Sequence, residues 1–136
     1  MTKPTHQLTD RTDELAAISL RHRLTAEAIG TALLVIAAVG SGIAAEGLSD
    51  DGGVQLLANA VVTGAALAAL ITMFAPISGA HFNPAVTLAA QLNGRISARD
   101  AGAYVTTQIS GGIGGVALAN VMFDLPALHL ATTERS

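Results

Sequence analysis

The sequence predicts an all-α membrane protein with three transmembrane helices and one re-entrant half-helix. Of the 136 residues, 51% are apolar and only 12% are charged, a composition unlike that of a soluble domain. Three apolar stretches are long enough to cross a bilayer as helices, and a fourth is too short. We therefore expect a polar tail over 1–23, a membrane region over 24–124 and a second polar tail over 125–136.

The composition also excludes several classes of function. The chain has no Cys, so it holds no disulfide, thiolate metal site or Cys nucleophile. Its net charge of −3 is too small to indicate a nucleic-acid partner. The sequence contains no recognisable nucleophile–base pair, Gly-rich phosphate loop or paired-carboxylate site. We therefore expect no enzymatic activity, no cofactor, no metal site and no nucleic-acid partner.

The first two apolar stretches predict membrane-spanning helices. Residues 25–45 are interrupted only by Glu27, and residues 54–75 carry no charge at all. A helix of about 20 residues crosses a hydrocarbon core of about 30 Å, so both stretches are long enough. A cleavable signal peptide is an alternative for 21–45, but this apolar stretch is too long for one.

The third long stretch, residues 101–123, predicts another spanning helix with a close-packing face. It carries no charge, but its glycine-rich run would weaken a helix in water. In a bilayer, Gly111 and Gly115 form the small-residue spacing at which two helices approach closely. Pro126 is predicted to mark the end of this helix.

The short apolar segment, residues 84–92, predicts a re-entrant half-helix. At 1.5 Å per residue it reaches only about half the membrane. A buried helix of a soluble protein is the alternative, but the flanking spans favour a segment that enters and leaves on one side. Asn83 is a good helix cap, and Pro84 followed by Ala85 suits the first helical positions.

The basic residues predict the orientation of this multi-pass cell-membrane protein. Six of the seven fall on segments that share one side: Lys3, Arg11, Arg21, Arg23, Arg95 and Arg99. Only Arg135 falls on the other side, and the loop near Asp50 carries acidic residues alone. Because cytoplasmic segments are enriched in Lys and Arg, we expect a cytoplasmic N-terminus and an external C-terminus.

Several motifs resemble the aquaporin, or major intrinsic protein, family. They are Ala26-Glu27-Ala28-Ile29-Gly30-Thr31 at the first span, the segment from Ser78 to Thr87 around Asn-Pro-Ala, Gly94-Arg95-Ile96-Ser97, and Tyr104 with Gln108, Gly111 and Gly115. Members of that family are built of two inverted repeats, each with three spans and a half-helix bearing Asn-Pro-Ala. Residues 23–123 resemble the first repeat, which implies half of an aquaporin-like fold.

The resemblance implies roles for the loop before the half-helix. The Asn83 amide is expected to point into the pore as a donor, beside the positive end of the half-helix dipole. The carbonyls of Gly79, Ala80, His81 and Phe82 are expected to form a ladder of acceptors. The His81 side chain is expected to pack against the half-helix and not to bind a metal ion.

The resemblance also implies two buried braces and one selectivity position. Glu27 and Gln108 are expected to accept hydrogen bonds from the backbone amides of the loop. The alternative for Glu27 is that its carboxylate reaches the cytoplasmic headgroups. Thr63 occupies a position where family members usually place a bulky aromatic side chain, so it is expected to leave the outer constriction of the pore wider and more polar.

The expected function is passive transport of water or small neutral solutes across the lipid bilayer. As a half-repeat, the chain is expected to complete its pore with a partner chain that supplies the second repeat. Two alternatives stay open: a non-conducting assembly or regulatory subunit that packs on another family member, and a truncated, inactive gene product.

The distribution of basic residues makes a first testable prediction. Reporter fusions at the two ends of the chain should give opposite signals, with the N-terminal reporter in the cytoplasm and the C-terminal reporter outside. A C-terminal reporter that is active only in the cytoplasm would contradict the three-span topology.

Overall fold

The computed structural model describes residues 18–128, which form four helices and no strands. In chain order these are α1 (Leu20–Leu48), α2 (Gly52–Ser78), α3 (Pro84–Leu92) and α4 (Ala98–Met122). The predicted all-helical fold, with three long helices and one short one, is confirmed. Most of the two predicted tails, including Lys3, Arg11 and Arg135, lies outside the described residues.

Within the described residues, α1 and α2 are long and apolar enough to cross a membrane by length and composition. The 25 residues of α4 span about 37 Å, but this helix is more polar. Its exposed hydroxyls are satisfied locally, since Thr106 and Ser110 each donate to the carbonyl four residues earlier. Local bonds of this kind make polar side chains tolerable at membrane depth.

Helices α2 and α4 begin two or three residues before their apolar stretches because capping residues set their N-termini. Asp51 begins α2, and its Oδ1 atom accepts from the amides of Gly53 at 2.8 Å and Val54 at 3.1 Å. Ser97 begins α4 by accepting from the amide of Asp100 at 3.1 Å. Such caps satisfy amides that have no partner within the helix.

The predicted end of the last helix at Pro126 is wrong. Helix α4 ends at Met122, because Asp124 takes a left-handed conformation with φ of 58°. The amide of Leu125 then turns back to the carbonyl of Asn120 at 2.9 Å. This closure satisfies the carbonyls of the last turn before the proline is reached.

Helix α1 lies between α2 and α4, and the α1–α4 contact is especially close. A Cβ atom built on Gly111 would lie 2.5 Å from the carbonyl oxygen of Ala28. One built on Gly115 would lie 2.6 Å from the carbonyl oxygen of Ala32. Any side chain at either position would therefore push the two backbones apart.

Helix α3 has the predicted bounds, and it packs against α4. Apart from the buried Thr87, its side chains are exposed or half-buried, including the exposed Val86, Leu88 and Leu92. Most of the apolar side chains of α2 are exposed as well. The four-helix arrangement therefore leaves broad apolar surfaces, which suit lipid or further protein.

The close approach of α1 and α4 generates a stability prediction with a matched control. Gly111→Ala and Gly115→Ala should each destabilise the fold by about 1–3 kcal/mol, because the added methyl overlaps α1 backbone. Gly114→Ala meets nothing within 4 Å, so it should leave stability unchanged or raise it by up to about 1 kcal/mol. Thermal unfolding in detergent, followed by circular dichroism, measures all three, and equal effects would contradict this packing.

Candidate functional site

The segment between α2 and α3 has a backbone that needs support from outside. Gly79 ends α2 with φ of 90°, and Ala80 and Phe82 adopt φ of 51° and 50°. Left-handed backbone at a non-glycine residue costs about 1–3 kcal/mol and persists only where its surroundings enforce it. We refer to residues 79–83 as the re-entrant loop. Its shape depends on contacts with α1 and α4.

The main support of the re-entrant loop is the carboxylate of Glu27 on α1. Glu27 has no exposed surface, so it does not reach the headgroups. Its Oε1 atom accepts from the Ser78 hydroxyl at 2.6 Å and from the His81 amide at 3.0 Å. Its Oε2 atom accepts from the Phe82 amide at 2.8 Å and from the Gln108 side chain at 2.7 Å. Four donors on two oxygens make a buried carboxylate tolerable.

Gln108 on α4 supports the loop through Glu27 and Thr87, and not by the direct bonds that were expected. Its Nε2 atom donates to Glu27 and, at 2.9 Å, to the hydroxyl of Thr87 on α3. It accepts from no loop amide, because the carboxylate already takes the amides of His81 and Phe82 and itself needs donors. The expectation that Gln108 accepts from the loop is therefore wrong in direction. The side chain instead joins α1, α3 and α4.

His81 lies against the half-helix and α4. Its Nδ1 atom is 3.1 Å from the hydroxyl of Thr87, which has no exposed surface. The imidazole ring is 5.4 Å from the Tyr104 ring, measured between centroids. Residues 18–128 contain no group of three or more side chains suited to a metal ion. The contacts of His81 therefore orient the loop on α3.

Besides the hydrogen bonds of Glu27, a second set of hydrogen bonds connects Ser78, the residue before the re-entrant loop, to Arg23 near the start of α1. The Tyr104 hydroxyl donates to the carbonyl of Ser78 at 2.9 Å, and the Arg23 guanidinium donates to Tyr104 at 2.8 Å. Arg23 also pairs with Asp100 at 3.4 Å. Because Arg23 and Glu27 are one turn apart on α1, as are Tyr104 and Gln108 on α4, the two chains of bonds run side by side.

Sequence reasoning missed Ser78, Thr87 and Arg23 as parts of this network. Arg23 entered only as a charge that favours the cytoplasmic side. The available signal was the one-turn spacing of Arg23 and Glu27, which places a cation beside a carboxylate on one helix face. Ser78 and Thr87 belong to the motif around Asn-Pro-Ala, but their bonds were not predicted, since isolated hydroxyls are common near helix ends.

The loop keeps a set of polar groups that the network does not use. Asn83 caps α3, with its Oδ1 atom accepting from the Ala85 amide at 2.8 Å, and Pro84 takes the first helical position. Its Nδ2 group donates to no group within residues 18–128, and the side chain is exposed. The carbonyls of residues 79–82 likewise accept no hydrogen bond from the described part of the chain. One donor group and four acceptors thus have no partner within residues 18–128.

Thr63 lies apart from this network, on α2. It is half-buried, and its hydroxyl is 3.4 Å from the Oδ1 atom of Asn59. It shares no hydrogen bond with the re-entrant loop in the described residues. Residues 18–128 do not by themselves form a constriction at Thr63, so its expected position there requires additional protein on the other side of the pore.

Comparison with known proteins gives consistent matches. The family model for the major intrinsic protein matches residues 14–134. Aquaglyceroporin AqpS of Rhizobium meliloti (strain 1021) is 52% identical over 117 residues, which cover 86% of this chain and 50% of the relative. Aquaporin A of Dictyostelium discoideum is 41% identical over 111 residues, 77% of this chain and 40% of the relative. The chain spans about half the length, or less, of the curated relatives it matches.

The Glu27 network predicts how the loop responds to loss of one charge. Glu27→Gln replaces one of the two acceptor oxygens by a donor. Because His81 and Phe82 bond to different oxygens, hydrogen exchange at one of these two amides should accelerate at least about tenfold. Glu46→Gln, at an exposed position of the same helix, is the control and should leave both rates unchanged. Exchange measured by NMR in detergent micelles tests this, and unaltered loop amides would contradict the bracing role.

Proposed function

This chain belongs to the major intrinsic protein family of membrane channels, which are not enzymes, and we propose that it forms one half of a pore for water or small neutral solutes. The supporting observation is the re-entrant loop, in which the amides of His81 and Phe82 are bonded to Glu27 while the Asn83 Nδ2 group and four carbonyls have no partner within residues 18–128. We assign the channel repeat to residues 24–124, flanked by the two polar tails.

The free groups of the loop suit a neutral polar permeant. The Asn83 amide offers a donor, and the carbonyls of residues 79–82 offer successive acceptors that replace the hydration of a solute. The N-terminus of α3 carries the positive end of the helix dipole at the same place. A positive potential repels cations and protons, so we propose passive transport of uncharged molecules only.

The exposed side of the half-helix supports the proposal that a second repeat completes the pore. Asn83, Val86 and Leu88 are exposed, and a polar loop with free carbonyls is not tolerated in contact with lipid tails. We propose that an inverted second repeat from a partner chain covers this side and brings its own half-helix to the midplane. In this assembly the N-terminus of the present chain is cytoplasmic and Thr63 faces the outer constriction.

Reconstitution tests the half-channel directly. Liposomes that contain this chain alone should show the osmotic permeability of bare lipid, because a single half-helix does not enclose a pore. Addition of a chain carrying the second repeat should raise water or glycerol flux in stopped-flow light scattering. Rapid, saturable vesicle shrinkage with this chain alone would contradict the proposal, and co-purification without added flux would favour a non-conducting assembly subunit.

A substitution at Asn83 tests the donor role of its Nδ2 group separately from the capping role of its oxygen. Asn83→Asp keeps the oxygen that caps α3 but replaces the free donor by an acceptor and brings a charge to the midplane. Flux through the assembled pore should therefore fall at least about tenfold while thermal stability is retained. Gln91→Glu, near the other end of the half-helix and with no side-chain hydrogen bond in residues 18–128, is the control with unchanged flux. Equal flux in both variants would remove Asn83 from the permeation path.

A further inference from the structure

We propose that Thr87 is a positioning residue that fixes the tautomer of the neutral His81 ring, with the proton on Nε2. The Nε2–H group then adds a donor to the polar groups that the re-entrant loop offers to a permeant. The proposal rests on the channel function above and deepens it, because it names a further donor and the residue that sets it. The supporting observations are the hydrogen bonds of Thr87, its complete burial and the chemistry of its two partners.

The direction of the Thr87 hydrogen bonds is set first by Gln108. The Nε2 atom of Gln108 is 2.7 Å from the Oε2 atom of Glu27, and a carboxylate oxygen only accepts. This end of the Gln108 amide is therefore the nitrogen and not the oxygen. The same nitrogen is 2.9 Å from the Thr87 hydroxyl, so its second proton points to the Thr87 oxygen. Thr87 accepts this bond and keeps its own proton for another partner.

The proton of Thr87 has one acceptor within residues 18–128. Thr87 has no exposed surface, so its proton needs an acceptor from the protein. The usual acceptor for a helical threonine is the carbonyl four residues earlier, but within the described residues the Thr87 hydroxyl makes no bond to the Asn83 carbonyl. Its other partner is the Nδ1 atom of His81, at 3.1 Å. Nδ1 therefore accepts, and the proton of the neutral ring lies on Nε2.

The opposite tautomer would leave a buried proton without a partner. With the ring proton on Nδ1, both His81 and Gln108 would donate to the Thr87 oxygen. The Thr87 proton would then have no acceptor in the described part of the chain. Burial of an unpaired donor disfavours this form by at least about fivefold in population. Thr87 thus receives a hydrogen bond from α4 and passes the direction of that bond on to the loop.

The position of the His81 ring leaves Nε2 available to a solute. One face of the ring lies near Tyr104, with 5.4 Å between the two centroids, and Nδ1 faces Thr87 on α3. The side chain is half-buried, and Nε2 forms no hydrogen bond within residues 18–128. A Cβ atom built on Gly79 would lie 3.4 Å from Nε2, so this nitrogen lies beside the first residue of the re-entrant loop.

A donor beside the carbonyls changes what the loop offers to a permeant. The carbonyls of residues 79–82 only accept, so they bind the protons of a solute and leave its lone pairs without partners. The Nε2–H group of His81 binds such a lone pair. An unprotonated Nε2 would instead compete with the carbonyls for the same protons. The tautomer that Thr87 sets therefore favours a neutral molecule that both donates and accepts.

Nitrogen NMR on the chain alone, in detergent, tests the tautomer without any flux. At about pH 8, where a free imidazole is neutral, His81 should show a protonated Nε2 and an unprotonated, hydrogen-bonded Nδ1. Thr87→Val removes the hydroxyl at nearly constant volume, so the population of the Nδ1–H form should rise at least about fivefold. Thr87→Ser should keep the wild-type pattern. A protonated Nδ1 in the wild-type chain, or an unchanged ratio in Thr87→Val, would overturn the proposal.

A matched threonine on α4 controls for general effects of the substitution. Thr106→Val also removes a hydroxyl from a helix, but this hydroxyl only donates to the carbonyl of Gly102. The His81 signals should be the same in Thr106→Val as in the wild-type chain. A change of tautomer in this variant as well would show that the ring responds to any loss of a hydroxyl and would remove the specific role of Thr87.

Flux through the assembled pore tests whether the donor serves the permeant. Among variants that co-purify equally with the chain carrying the second repeat, Thr87→Val should conduct at least about threefold less than Thr87→Ser. Thr106→Val should conduct like the wild-type chain. Equal flux in Thr87→Val and Thr87→Ser would overturn the role of the His81 donor in permeation. If the NMR result is as expected but no assembly conducts, the channel proposal fails and this role fails with it.

Discussion

The structure depends on one mutual requirement between a buried carboxylate and a strained loop. Glu27 has no contact with solvent and needs donors on both oxygens, while the re-entrant loop buries amides that need acceptors. Each satisfies the other, and neither is tolerable alone in an apolar surrounding. The left-handed backbone at Ala80 and Phe82 accompanies this arrangement, in which the amides of two successive residues point toward one side chain.

The small residues of the long helices follow from that requirement. Gln108 on α4 reaches Glu27 on α1 at 2.7 Å because Gly111 and Gly115 allow the two backbones to approach closely. Gly30 serves the loop in the same way, since any side chain there would overlap the Phe82 ring. The glycines are therefore part of the polar network, even though they form none of its hydrogen bonds.

The sequence was sufficient to predict the elements but not the detailed bonding of the site. Hydropathy indicated the long helices, and Asn83 with Pro84 marked the start of the half-helix, because these signals are local. The predicted end of α4 was wrong because the left-handed backbone at Asp124 ends the helix before Pro126. The predicted direction of the Gln108 hydrogen bonds was wrong because a side-chain amide can donate or accept, and its neighbours in the folded structure decide which.

Asn83 and Asn59 illustrate how a backbone contact can give an ambiguous side chain a defined chemistry. An amide presents a donor at one end and an acceptor at the other, and a free amide can rotate to offer either. The cap of α3 engages the oxygen of Asn83 and leaves its donor free, whereas Ala38 engages the nitrogen of Asn59 and leaves its oxygen to face the Thr63 hydroxyl. The helix framework therefore determines the polarity of both positions.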